Sequence, residues 1–157
     1  PLSEQLGISR KQAKEFIDNY FNTHTGVGSF IEKTVSAAEQ DGFVKTLLGR
    51  IRYVPDINST NRNVVEFAKR TAINTPIQGS AADLIKVSMI SLSKRLKEEG
   101  LKSAMILQVH DELILEVPEN EIEAATVLVK ESMEGAIRLS VPLVVDIGTG
   151  QNWLEAH

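Results

Sequence analysis

Cysteine is absent from this sequence of 157 residues, and long apolar runs are absent as well. Without cysteine, the protein can hold neither a disulfide scaffold nor a thiolate zinc site, and it has no cysteine nucleophile. No stretch approaches the roughly 18 consecutive apolar residues that a membrane-spanning helix needs. No basic start with an apolar core marks a signal peptide, and no glycine-rich loop ending in lysine is present to hold a phosphate.

The composition is that of a folded protein. Hydrophobic residues make up 42% of the chain and charged residues 24%, which is too apolar for a disordered chain. The length fits one domain or part of a larger one. We therefore expect a soluble, globular, intracellular protein. Because the chain begins with Pro1 rather than Met, we also expect it to be a fragment.

Charge is distributed unevenly along the chain. The overall net charge is −4, which argues against a basic nucleic-acid coat protein. Residues 45–70, however, hold six basic and two acidic residues, a net +4. Residues 111–134 hold one basic and eight acidic residues, a net −7. Both stretches are consistent with solvated helix surfaces, and the basic one is also consistent with a nucleic-acid contact.

Hydrophobic spacing predicts an α+β fold with helices packed on a small antiparallel sheet. The predicted helices cover about residues 10–21, 30–41, 63–73, 75–99 and 119–139. Ser9 and Gln12 predict a capping box at the first of them. Residues 43–53 are short, β-branched and interrupted by Gly49, which predicts a hairpin or two small strands. Met105, Leu107 and Val109 alternate with their neighbours, which predicts an antiparallel hairpin within residues 103–117. A last strand is predicted over residues 143–147.

A helix boundary is predicted at Thr75. Thr75 can cap a new helix, Pro76 suits its first turn, and Gln78 would complete a capping box. The apolar stripe of this helix recurs at spacings of three and four and is expected to be buried. Its members are Ala81, Ile85, Met89, Leu92 and Leu96.

The predicted tip of the second hairpin lacks the residue types that tight turns prefer. Tight hairpins prefer Asn-Gly or Asp-Gly, yet the predicted tip here is Asp111-Glu112, flanked by His110. Where the residues of a turn between two well-predicted strands depart from ordinary turn preferences, a functional role is expected. Carboxylate oxygens on a rigid hairpin suit Mg²⁺. The alternative is a solvated acidic turn, which is common.

A polar set precedes this hairpin in the sequence. Arg70, Asn74 and Gln78 are spaced four residues apart, which is the spacing of one helical face. Such side chains can donate hydrogen bonds to phosphate, sugar or base edges. Each one also has an ordinary interpretation as a helix-end or capping residue.

Two long segments resemble family A DNA polymerases, the bacterial DNA polymerase I type. Residues 107–113, Leu-Gln-Val-His-Asp-Glu-Leu, are similar to the C motif of that family, and residues 70–83 are similar to a second motif. Residues 46–50, 53–56 and 150–153 add support. Ile51 departs from the family pattern, which often has a second arginine there.

The resemblance implies a C-terminal piece of a right-hand polymerase domain. Residues from 1 to about 80 would form lower fingers and connecting segments, and those from about 81 to 157 would form palm. Asp111 would be one of two metal-binding aspartates, Glu112 would support the same site, and His110 would lie near the primer 3′ end. The expected DNA-binding residues are Arg50, Arg70, Asn74, Gln78 and His110.

The implied reaction is DNA-templated nucleotidyl transfer in replication and repair. Its cofactor would be Mg²⁺, two ions in the complete site, and its partners would be primer–template DNA and deoxynucleoside triphosphates. The first catalytic aspartate and the nucleotide-binding helix of the family would lie upstream, so we expect the isolated chain to be inactive. The resemblance also implies that the parent is a bacterial, cytoplasmic, nucleoid-associated protein with no membrane partner and no obligate oligomer. A non-catalytic nucleic-acid-binding module and a metal-dependent phosphodiester hydrolase remain as alternatives.

Overall fold

A computed structural model describes residues 2–156, and the chain divides into two compact units. The first unit ends at Pro76 and the second begins at Ile77. Each unit combines helices with a two-stranded antiparallel sheet, so the predicted α+β class is confirmed. Within the described residues, no helix is both long and apolar enough to cross a membrane.

The first unit opens with three helices. They are α1 (Leu2–Gln5), α2 (Arg10–Thr23) and α3 (Thr25–Asp41). The predicted capping box at α2 is confirmed, because the Gln12 amide donates to the Ser9 hydroxyl at 3.2 Å and the Ser9 amide donates to Gln12 Oε1 at 3.0 Å. Gly42, at φ 75°, ends α3 in the left-handed conformation that favours glycine.

A short hairpin follows, as predicted. Strands β1 (Phe43–Lys45) and β2 (Ile51–Tyr53) pair antiparallel, and Val44 lies opposite Arg52. Val44 faces the buried cluster of the first unit, which also draws on α3, on the 3₁₀ turn at Pro55–Asn58 and on the following helix. The members of that cluster are Ala38, Val44, Val54, Ile57, Ala68 and Ala72.

The boundary predicted at Thr75 is wrong. One helix, α4 (Arg62–Glu98), runs through Pro76 without ending. The Thr75 hydroxyl does not cap a helix but donates to the Thr71 carbonyl one turn back, at 2.7 Å. Buried Ala68 and Ala72 hold the turns before the proline in the core, and such packing outweighs the local preference of proline to end a helix.

The predicted apolar stripe of α4 is partly right. Ile85, Leu92 and Leu96 are buried, but Ala81 is exposed and Met89 only half-buried. Ser88 takes a core position, where its hydroxyl donates to the Leu84 carbonyl at 3.0 Å. The stripe packs in the second core cluster, which consists of Ile85, Leu92, Leu96, Leu128, Val129 and Met133.

The second hairpin consists of β3 (Ala104–Val109) and β4 (Glu112–Glu116). The register shifts between Met105 and Leu107, so Ile106 is an extra residue on β3 and forms a bulge. The simple alternation predicted for Met105, Leu107 and Val109 is therefore wrong. Met105 pairs with Leu115, whereas Leu107 pairs with Ile114 on the other face.

The C-terminal part contains less regular structure than predicted. A 3₁₀ turn at Glu119–Glu121 leads into α5 (Ile122–Glu134), which ends five residues before the predicted Leu139. The strand predicted at 143–147 is not formed. Instead, the Val145 amide donates to Glu134 Oε1 at 3.1 Å, so a side chain takes the place of a pairing strand. A short helix, α6 (Trp153–Ala156), closes the described chain.

Candidate functional site

The tip of the β3–β4 hairpin lies one residue earlier than predicted. Val109 pairs with Glu112, so the two turn residues are His110 and Asp111, and Glu112 is the first residue of β4. His110 has a φ of 51°, in the left-handed region. Two-residue hairpin turns require such a conformation, and histidine adopts it more readily than most non-glycine residues. The hairpin thus turns tightly without glycine.

A side chain that the sequence interpretation overlooked braces this turn. Gln108 Nε2 donates a hydrogen bond of 2.6 Å to the carbonyl oxygen of His110. Gln108 pairs with Leu113, so the bond joins the end of β3 to the turn itself. The only signal in the sequence is an amide two residues before the turn, which is too common to be diagnostic.

The two adjacent carboxylates have different surroundings. Asp111 is exposed on the turn, whereas Glu112 is half-buried on β4. Leu113 and Leu115 pack against the core cluster, and successive strand residues alternate between faces. Glu112 therefore belongs to the face that points away from that cluster.

The carboxylates of Asp111 and Glu112 can provide only some of the ligands that a hard divalent cation needs. Mg²⁺ is usually held by one or two carboxylates, with waters and substrate phosphates completing its shell. Asp111 and Glu112 can supply such oxygens. Residues 2–156 contain no cluster of three or more His, Cys, Asp or Glu side chains able to hold a metal. Further ligands would have to come from substrate, water or other chain segments.

The base of the hairpin is anchored by a buried carboxylate. Glu121 accepts hydrogen bonds from the amides of Lys102 and Ser103 and from the Ser103 hydroxyl, at 2.7–3.0 Å. The Lys102 amide, together with the Ser103 hydroxyl, lowers the pKa of Glu121 below its ordinary value of 4.5. The start of β3 is thus tied to the turn that precedes α5.

The predicted polar set lies on α4. Arg70, Asn74 and Gln78 are all exposed, so the helix presents them to solvent rather than to a core. Gln78 lies inside the continuous helix, so its predicted capping-box role is wrong. Arg70 and Asn74 belong to the first unit, and Gln78 belongs to the second, along with the β3–β4 hairpin.

Arg50 lies in the tight loop between β1 and β2. Its amide donates to the hydroxyl of buried Thr46 at 3.1 Å, and its carbonyl accepts from the Thr46 amide at 3.0 Å. Gly49, at φ 82°, allows the sharp reversal. The loop therefore holds the Arg50 backbone firmly while its side chain is exposed.

Comparison with known proteins places these features in one family. The family model described as DNA polymerase family A matches residues 1–155. The chain is 56% identical over 155 residues to DNA polymerase I of Geobacillus stearothermophilus, and 53% identical over 155 residues to DNA polymerase I of Lactococcus lactis subsp. cremoris. Each match covers 99% of this chain and 18% of the relative, so the chain spans about a fifth of the length of these relatives.

A solved structure agrees with the sequence relatives. The POL domain of Pol1 from M. smegmatis, in complex with DNA primer-template and dNTP, matches with a TM-score of 0.95 and 47% identity. The match covers 99% of this chain and 27% of that one. The family model spans nearly the whole chain, and the similarity extends through the hairpin and the polar residues of α4. The chain therefore belongs to DNA polymerase family A.

Proposed function

We propose that this chain is the palm-containing part of a DNA-directed DNA polymerase. The observation that carries the proposal is the braced β3–β4 turn, which presents Asp111 to solvent beside Glu112 in a member of family A. A pure binding module gains little from two acids that would face DNA phosphates. The acids are useful in a site that recruits a cation.

The reaction would join a nucleotide to a primer. The primer 3′-hydroxyl gives up its proton to solvent as its oxygen attacks the α-phosphorus of a deoxynucleoside triphosphate. A new P–O bond forms, the bond from the α-phosphorus to the oxygen that bridges to the β-phosphate breaks, and pyrophosphate leaves. When bound, two divalent ions, Mg²⁺ in this proposal, would supply charge stabilisation to the attacking and leaving oxygens. Within this chain, Asp111 would hold a metal and Glu112 would support the same site. Gln108 keeps the turn in shape through its bond to the His110 carbonyl.

The exposed polar residues would handle the DNA. His110 would lie near the primer 3′ end, and Arg50 would contact a phosphate. Arg70, Asn74 and Gln78 would contact the minor groove and the backbone of the primer–template. Minor-groove acceptors are shared among base pairs, which suits an enzyme that must copy any sequence. Their exposure on a long helix supports this role, because each side chain can reach a ligand.

The remaining parts of the proposal concern the whole enzyme. Residues up to about 80 would serve as lower fingers and connecting segments, and the later ones as palm. The complete polymerase would act in replication and repair in the bacterial cytoplasm, at the nucleoid, without an obligate oligomer. The neighbour from M. smegmatis was solved with DNA primer-template and dNTP. This supports primer–template DNA and deoxynucleoside triphosphates as partners of the complete polymerase.

The decisive experiment replaces Asp111 in a full-length polymerase that carries this chain. Asp111→Asn keeps the size of the side chain but removes its charge. We expect the single-turnover rate of primer extension to fall at least about 100-fold, because metal stabilisation of transition-state charge is worth several kcal/mol. Binding of primer–template DNA, measured by fluorescence anisotropy, should remain close to that of the parent.

Glu116→Gln is the matched control. Glu116 is an exposed carboxylate on the same strand, at the opposite end of the hairpin, where it pairs with Ala104. Its loss should leave extension unchanged. Near-normal extension by Asp111→Asn would overturn the metal-binding role, and an equal loss in both variants would indicate a general effect of acidity on the hairpin.

A further inference from the structure

The β1–β2 hairpin carries a second surface that the roles above do not use. Its register places Phe43 opposite Tyr53 and Lys45 opposite Ile51. Opposed residues share a face, and successive residues alternate, so these four side chains lie on one face. Val44, on the other face, is 6% exposed and belongs to the core cluster. The four-residue surface, named here the Tyr53 face, therefore points away from the core.

The Tyr53 face combines aromatic rings with positive charge. Tyr53 is 74% exposed, and its ring meets that of Phe43 edge to face, with centroids 6.2 Å apart. Lys45 Nζ lies 5.3 Å from the centroid of the Phe43 ring. The Phe43 ring thus packs beside both Tyr53 and Lys45, while the Tyr53 ring remains exposed to a ligand.

Every charged residue of the β1–β2 hairpin is basic. Residues 43–53 contain Lys45, Arg50 and Arg52 and no acidic residue, although the complete chain carries a net −4. All three basic residues are exposed. On the Tyr53 face itself, the exposed ring lies beside one basic side chain, Lys45. Such a pair can bind single-stranded nucleic acid, because a base stacks on the ring and a phosphate pairs with the cation.

We infer that the Tyr53 face binds the unpaired template strand, with one base stacked on Tyr53 and a neighbouring phosphate near Lys45. This inference rests on the proposed polymerase function, which supplies a single-stranded DNA template. Stacking tolerates every base, as a template contact must. The firm loop built on Thr46 keeps the two strands of the hairpin in register.

The test compares two DNA ligands bound by a full-length polymerase that carries this chain. One is a primer–template with a 5′ template overhang of about six nucleotides, a length within the usual range of single-strand sites. The other is a blunt duplex. Binding is measured by anisotropy in EDTA, without nucleotide and at one fixed salt concentration, because such affinities depend strongly on salt.

Tyr53→Ala should weaken binding of the overhang ligand about fivefold or more, the lower end for loss of one base–aromatic stack. Binding of the blunt duplex should not change. Tyr53→Phe should bind like the parent, because the ring suffices. The matched control is Phe16→Ala on α2, which removes a ring of comparable exposure, 59%, and should leave both affinities unchanged.

Two further readouts address stacking and charge directly. A 2-aminopurine placed in the overhang should be quenched by the parent and by Tyr53→Phe, and less by Tyr53→Leu, which keeps an apolar side chain of useful bulk. Lys45→Gln should reduce the salt slope of overhang binding by about one, as expected for one phosphate contact.

The inference is overturned if Tyr53→Ala binds the overhang as tightly as the parent does. It is also overturned if the variant loses affinity for both ligands equally, which would indicate that another protein segment covers this face. The binding assay needs neither metal nor turnover. Retained extension by Asp111→Asn would therefore count against the proposed catalytic role without affecting this result.

Discussion

Among single residues, Glu121 shows how one carboxylate can order the base of the β3–β4 hairpin. It accepts hydrogen bonds from two consecutive amides and a hydroxyl at the residues that precede β3. The turn at the other end of β3 is braced separately by Gln108. Both ends of the strand are therefore held by side-chain-to-backbone bonds, which limits the positions that Asp111 can take.

We expect Glu121→Gln to loosen the base of the hairpin. An uncharged amide accepts weaker hydrogen bonds than a carboxylate, so the hydrogen-exchange protection of the Lys102 and Ser103 amides should fall roughly tenfold. The matched control is Glu123→Gln, at an exposed position on α5. Equal protection in the parent and in Glu121→Gln would contradict the anchoring role.

The same anchor predicts a pH dependence. The pKa of Glu121 is lower in the folded protein than its ordinary value of 4.5, so the folded state binds this proton less readily than the unfolded state. Its stabilising effect is therefore complete above about pH 4.5 and is lost as the pH falls through the lower, folded-state pKa. Protection of the two amides should decrease over that window in the parent and stay nearly constant in Glu121→Gln.

At the scale of elements, we expect the bulge at Ile106 to determine how the β3–β4 hairpin presents its tip. The extra residue places Met105 and Leu107 on opposite faces and leaves Ile106 itself 59% exposed. Bulges increase the local twist of a strand and often re-aim a nearby side chain. Here the bulge lies between the anchored start of β3 and the His110-Asp111 turn.

Deleting Ile106 tests this role, given the proposed polymerase function. The pairs on either side, Met105 with Leu115 and Leu107 with Ile114, can form a regular ladder without it. We therefore expect the polymerase to fold but its extension rate to fall roughly 100-fold, the effect of displacing a reacting group by about 1 Å. Ile106→Ala keeps the bulge and should retain the rate. Parent-like extension by the deletion variant would show that the bulge does not aim the turn.

Element prediction from the sequence succeeded where the signal was local. The Ser9 capping box and the left-handed Gly42 bound their helices as expected. Prediction failed at Thr75 and at residues 143–147, where the outcome depends on distant partners. Buried Ala68 and Ala72 hold the turns of α4 before Pro76 in the core, and Glu134 accepts the hydrogen bond from the Val145 amide that a strand would have paired.

At the scale of the whole molecule, charge is unevenly distributed, and the chain spans only about a fifth of the length of the relatives it matches. The net charge of −4 averages a basic stretch at 45–70 and an acidic one at 111–134. The relatives are more than five times as long as the matched segment. Within residues 2–156, no third His, Cys, Asp or Glu side chain completes a metal-binding cluster with Asp111 and Glu112.

The isolated 157-residue chain should therefore show no templated primer extension with Mg²⁺ and all four nucleotides. A full-length polymerase that carries the chain serves as the positive control in the same assay. Extension by the isolated chain that disappears with Asp111→Asn would contradict this prediction, since the activity would then come from this chain rather than from a contaminant.

The sequence by itself determined the α+β class, the capped start of α2, the two hairpins and the family, because these depend on periodicity, on caps and on long contiguous motifs. Only the tertiary structure decided that α4 continues through Pro76, that the turn is His110-Asp111, and that Ile106 bulges. It also revealed the bonds of Gln108 and Glu121 and the exposed ring of Tyr53. Those features depend on pairing register and on packing between residues far apart in the chain, and local sequence patterns do not encode such contacts.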